Sequence, residues 1–124
     1  MGTKYLLDTN VVLDFMGNKL SAKSQFFLSE IIDRAINLSA INKIELLGFS
    51  FVEQTIIDFV SFAEVYPIDD ETIDMTIVLR KKYKIKLPDA IIAATAIVHH
   101  LTLITSDSDF NHIQHLQLLN PIDI

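Results

Sequence analysis

Residues 87–110 read LPDAIIAATAIVHHLTLITSDSDF, and this stretch decides the fold. Pro88 suits a first helical position, where its missing N–H costs nothing, and Asp89 in the first turn complements the helix dipole. Ile91, Ile92, Thr95 and Ala96 recur at helical spacing, and the unbroken run Ala90–Ala94 places the helix mostly inside the protein. Leu101-Thr102-Leu103-Ile104 is then a short apolar run with polar borders, which predicts a buried strand. The acids Asp107 and Asp109 follow it. An unpaired carboxylate at the start of a buried helix is costly, and a bound metal relieves that cost at Asp89.

Working outward, Tyr5-Leu6-Leu7, Asn37-Leu38-Ser39-Ala40 and Glu64-Val65-Tyr66 have the same strand-like character. Longer segments between them carry apolar residues at spacings of three and four: Phe26, Phe27, Ile31 and Ile32, then Ile73, Ile77 and Val78. These predict helices with those residues inward. Strands alternating with helices require crossover connections, hence a parallel sheet covered on both faces. The expected architecture is α/β, a three-layer α/β/α domain with a central, mostly parallel sheet. Length and the absence of repeats, low-complexity tracts or linkers make residues 1–124 a single domain.

Composition excludes several classes. Without cysteine there are no disulfides, thiolate sites or cysteine nucleophiles, which fits a cytoplasmic protein. No apolar run approaches a membrane span or signal peptide, and Leu6 stands where N-myristoylation wants Ser or Thr, so a soluble chain is expected. A net charge of −6 argues against a general nucleic-acid coat. Any such contact is local, and Arg80, Lys81, Lys82, Lys84 and Lys86 are five of the ten basic residues. They are either a guide for an RNA backbone or a solvated helix end whose cations complement the dipole. A hydrophobic fraction of 50% with mean hydropathy +0.35 is high for a short soluble chain and predicts an oligomer or a partner.

Four acids, Asp8, Glu45, Asp89 and Asp107, sit where their carboxylates can project into one pocket, because ligands of open parallel sheets bind beyond the carboxyl ends of the strands. Each has a plainer explanation. Asp8 suits a helix N-cap before Val11-Val12-Leu13, Glu45 follows Asn42 by three residues as in a capping box, and Asp107 with Asp109 suits an Asx-turn. Together, crowded carboxylates repel one another and call for a cation. Hard ions such as Mg²⁺ prefer oxygen ligands, and a metal lowers the pKa of a nucleophilic water for phosphodiester hydrolysis. Thr9, Asn10, Thr105 and Ser106 are either supporting or phosphate-contacting donors, or turn and cap residues.

The segments Leu7-Asp8-Thr9-Asn10-Val11-Val12, Asn42-Lys43-Ile44-Glu45-Leu46-Leu47, residues 87–96 and residues 103–110 together resemble the PIN domain family, in order and spacing, over Leu6 to Phe110. Within it, the chain is most similar to VapC-type toxins, single-domain ribonucleases held inactive by a small antitoxin. The resemblance implies an endoribonuclease that hydrolyses RNA phosphodiester bonds. Asp8, Glu45, Asp89 and Asp107 would be the catalytic acids that hold Mg²⁺ or Mn²⁺, with Asp109 a further metal-side acid. It also implies a homodimer and an antitoxin docked in an apolar groove, for which Phe26, Phe27, Phe49, Phe51, Phe59 and Phe62 are candidates. Three alternatives compete. A PIN-like fold can be a catalytically silent binding module, His99, His100, His112 and His115 can offer metal-independent acid–base chemistry, and Asp8-Thr9-Asn10 is also similar to the nucleophile loop of haloacid-dehalogenase-like phosphatases. That loop usually carries Asp where this chain has Asn10.

Overall fold

A computed structural model describes residues 2–124. In chain order it forms β1 (Tyr5–Leu7), α1 (Thr9–Met16), α2 (Ala22–Arg34), β2 (Asn37–Ser39), α3 (Ala40–Leu47), α4 (Gln54–Ser61), β3 (Glu64–Tyr66), α5 (Asp70–Lys82), α6 (Leu87–Val98), β4 (Thr102–Ile104) and β5 (Leu118–Leu119). Single 3-10 turns lie at Ser108–Phe110 and Pro121–Asp123. Every strand pairing is parallel: β1-β4-β5 form one ladder and β2-β3 another. The Asn37 amide joins the two by donating to the Tyr5 carbonyl at 2.9 Å, so a buried side chain holds β2 against β1.

The layers follow from strand geometry. Successive side chains of a strand point to opposite faces. Leu6 and Leu103 enter a core with Leu79, Ile92 and Phe110, while Leu7 and Ile104 enter the opposite core with Val11, Val12, Leu28 and Leu38. The three-layer α/β/α expectation is thereby met, and each of these fully buried side chains contributes roughly 1.5–3 kcal/mol. β4 continues into the site because its register pairs Leu7 with Ile104.

α5 is where the predicted apolar face is wrong. Ile73, Ile77 and Val78 are 43%, 47% and 53% exposed, whereas Thr72, Thr76 and Leu79 are buried. α5 packs along α6, whose buried residues include Ala90, Ala93, Ala94 and Ala96. Small side chains let the helices approach closely, and the Thr76 hydroxyl is satisfied within its own helix by the Thr72 carbonyl at 2.7 Å. Phe26 is likewise exposed, its place in the core taken by Leu28 and Ile31. Of the six phenylalanines considered above, Phe59 is core, Phe27 is half-buried, and Phe26, Phe49, Phe51 and Phe62 remain exposed. Among the described residues, no helix is long and apolar enough to cross a membrane.

Candidate metal centre

Asp8 ends β1 and begins α1. Its N–H extends the ladder to the Ile104 carbonyl at 3.0 Å, one carboxylate oxygen caps α1 by accepting the Thr9 N–H at 2.9 Å, and the other accepts the Thr105 hydroxyl at 2.7 Å. The N-cap reading of Asp8 is therefore met. Burial pushes its pKa up against these two hydrogen bonds, and the charges of Glu45 and Asp107 push the same way. Both Asp8 oxygens are thus engaged, and only 6% of the residue is exposed.

Thr105 also accepts the Asp107 N–H at 3.0 Å, so one hydroxyl ties the two acids at the ends of β1 and β4. Thr105→Val is expected to cost about 1.5–3 kcal/mol in chemical denaturation, the value of a hydrogen bond to a charged group, whereas Thr105→Ser keeps the hydroxyl and most of the stability. A larger loss in Thr105→Ser than in Thr105→Val would show that the methyl, not the hydroxyl, carries the effect.

Glu45 is not part of a capping box. The box belongs to Ser39 and Asn42, which bond reciprocally at the start of α3, one turn earlier than the sequence pattern placed it. The buried Asn42 then donates to the Thr9 hydroxyl at 3.1 Å, and that hydroxyl donates to Glu45 at 2.6 Å. Glu45 is thus exposed yet held from behind. Thr9 thus links Asn42 to Glu45 through its hydroxyl.

Asp89 opens α6 and is half-buried; burial raises its pKa most, followed by the charges of Asp107, Asp8, Asp109 and Glu45. It is the point where all five acids meet electrostatically. Asp8, Glu45, Asp89 and Asp107 border one open cleft of about 470 Å³, together with Thr9 and Asn10. The tightest grouping is different: single carboxylate oxygens of Asp89, Asp107 and Asp109 all lie within 4.8 Å of one another. Asp107 meanwhile accepts the Asp109 N–H at 2.9 Å, so the Asx-turn orients both acids rather than competing with the site. Two oxygens bound to one cation at 2.0–2.6 Å lie at most roughly 4–5 Å apart. This hard-oxygen set suits a divalent cation, and within it burial, then the neighbouring charges, raises the pKa of Asp89.

The basic cluster divides. Arg80, Lys84 and Lys86 border a second cleft of about 470 Å³ that shares Asp89 with the first and includes Asp109 and His112. Lys82 turns away to Gln114 at 3.1 Å and over the Tyr83 ring, and Lys81 borders neither cleft. Ser106 lies in a separate cavity beside Asn120 and Pro121, away from the acids. The histidines are dispersed. His99 packs on Tyr66 at 4.6 Å, His100 and His115 border a cavity of about 90 Å³, and none of the four borders the acidic cleft.

The PIN domain model matches residues 5–116. This chain belongs to the PIN domain family. Family membership supports a nuclease-type hydrolase. Its structure is similar to chains of a toxin-antitoxin complex from Klebsiella pneumoniae (29% identity, TM-score 0.74, covering 95% of this chain and 98% of that one) and of VapBC2 from Rickettsia felis bound to a promoter DNA fragment (25%, 0.77, 95% and 98%). FitAcB from Neisseria gonorrhoeae is similar at 26% identity and TM-score 0.75, covering 97% of this PIN domain and 99% of that chain. No curated protein sequence matches the chain.

Proposed function

We propose that this PIN domain is a metal-dependent endoribonuclease and the toxin of a type II toxin-antitoxin pair. The observation that carries the reading is the approach of Asp89, Asp107 and Asp109 oxygens to within 4.8 Å at the junction of an acidic and a basic cleft. When bound, Mg²⁺ or Mn²⁺ supplies an activated water and neutralises charge on an in-line phosphoryl transition state. Asp89, Asp107 and Asp109 would hold the ion. Asp8, fixed by Thr9 and Thr105, and Glu45, fixed by Thr9, border the acidic cleft with Asp89 and Asp107 and complete its carboxylate set. Arg80, Lys84 and Lys86 carry the RNA backbone on the far side of Asp89, which reconciles local nucleic-acid binding with a net charge of −6. Lys81 and Lys82 take no part in this path.

The similarity to chains of toxin-antitoxin complexes supports an antitoxin partner, and the exposed Ile44 and Phe49, which border the acidic cleft, give it apolar surface next to the acids. The exposed faces of α2 and α5 are available to a second copy in a homodimer. Cleavage of single-stranded RNA by the purified chain tests the enzymatic reading. Millimolar Mn²⁺ or Mg²⁺ is expected to support cleavage and raise the melting temperature, and a chelator to abolish both. Cleavage that survives the chelator, or a melting temperature indifferent to metal, overturns the metal-centre reading.

A further inference from the structure

The wall of the basic cleft carries one aromatic side chain that backbone binding leaves unexplained. His112 is exposed and borders the cleft with Arg80, Lys84 and Lys86. It is firmly presented. Phe110 and Ile113 on either side are buried, anchoring the turn that carries it, and its ring meets Tyr83 edge-on at 5.5 Å and 71°. Tyr83 is itself held, its hydroxyl accepting the Gln114 N–H at 3.0 Å and the Lys82 ammonium lying 5.6 Å from its ring centre. The same turn begins at Asp107 and Asp109, so His112 keeps a fixed relation to the acidic cluster.

We propose that His112 is a stacking platform for one unpaired nucleobase of the RNA, next to the phosphate at the acids. Aromatic faces flanked by cations bind single strands because every base offers a π-face, and a base inside a duplex cannot reach them. The neighbouring Ile85 adds apolar surface under the same base. This makes His112 a positioning residue for one unpaired base. The inference rests on the ribonuclease reading above.

The test is steady-state cleavage of a mixed-sequence single-stranded RNA in Mn²⁺ by the wild-type chain, His112→Ala and His112→Phe, with fluorescence anisotropy of a labelled single strand and the matching duplex on the Asp89→Asn background. His112→Ala is expected to raise KM and the single-strand Kd about 10-fold with kcat unchanged, and His112→Phe to restore both, while duplex affinity stays the same in all three. An unchanged KM in His112→Ala, or a His112→Phe variant as poor as His112→Ala, overturns the stacking role. A ring that served only to pack on Tyr83 would change the melting temperature without moving KM. Absence of cleavage by the wild type refutes the nuclease reading instead, and the anisotropy series still decides whether His112 contacts a single strand.

Discussion

Replacing Asp89 with Asn is expected to abolish metal-dependent RNA cleavage, by about 10³-fold or more, and yet to make the metal-free protein more stable. The loss follows from removing one of three clustered oxygens proposed to hold the ion, since metal stabilisation of the transition state amounts to several kcal/mol and each 1.36 kcal/mol is tenfold in rate. The stability gain has a definite sign. Burial, then the charges of Asp107, Asp8, Asp109 and Glu45, raise the Asp89 pKa above its ordinary value in the folded chain. Between those two values the folded state keeps a proton that the unfolded state has released, so stability falls as pH rises through that window and stays lower above it. Asn carries no charge to repel. Without metal, the melting temperature of Asp89→Asn should exceed the parent's at neutral pH, and the gap should close as pH falls below the ordinary carboxylate range. Added Mn²⁺ should reverse the ranking, because only the parent gains from it. An Asp89→Asn protein that cleaves RNA as well as its parent would identify the activity as contamination and leave a binding module as the better description. A variant less stable than the parent without metal would mean that the acids do not repel as their crowding requires.

The largest loss of stability is expected at Phe110, not at any acid. Its side chain is completely buried in the core shared with Leu6, Leu79, Ile92 and Leu103, and it closes the turn whose first residues are Asp107 and Asp109. Phe110→Ala should cost about 3–5 kcal/mol, combining lost transfer energy with an unfilled cavity. That is a large share of a total of roughly 5–15 kcal/mol, and corresponds to a fall of roughly 10–20 °C in melting temperature. Activity should fall along with it even where the protein remains folded, because the turn no longer holds Asp107 and Asp109 against Asp89. Phe110→Leu fills most of the space and should recover much of both. Circular dichroism melts and Mn²⁺ titrations on the three proteins measure this. If Phe110→Ala retains parental metal affinity at temperatures where it is folded, the turn is not what organises the acids.

Much of this architecture was legible in the chain. A strand such as Tyr5-Leu6-Leu7 stands out because a buried parallel strand is apolar on both faces, whereas Glu64-Val65-Tyr66 has the expected bounds but is not buried, Glu64 being exposed and Val65 and Tyr66 half-buried, because β3 pairs with β2 alone. β5, only Leu118–Leu119, left no periodic signal to read. The inward face of α5 was misread because a helix lying against an alanine-rich neighbour can bury threonines and leave isoleucines outside; periodicity reports an apolar stripe, not what the stripe meets. The capping box was shifted by one turn because Ser39 and Asn42 offer a better reciprocal pair than Asn42 and Glu45, a choice made by backbone geometry.

What the sequence by itself determined is the set of candidate acids, the positions of Asp8 and Asp107 after strands and of Asp89 at a helix start, and the parallel sheet whose edge they share. Local chemistry suffices for that, since cap preference, proline placement and apolar runs all act within a few residues. Only the tertiary structure decided how the acids are shared out: Asp109 joins Asp89 and Asp107 in the ion-sized cluster, Asp8 has both oxygens engaged by Thr9 and Thr105, and Glu45 hangs from a relay that starts at Ser39. It also divided the basic cluster, keeping Arg80, Lys84 and Lys86 beside Asp89 and sending Lys82 to Gln114. These outcomes depend on distances of a few ångströms between residues up to 97 positions apart, as Thr105 is from Asp8, and such distances are fixed by strand register and helix packing rather than by any local pattern.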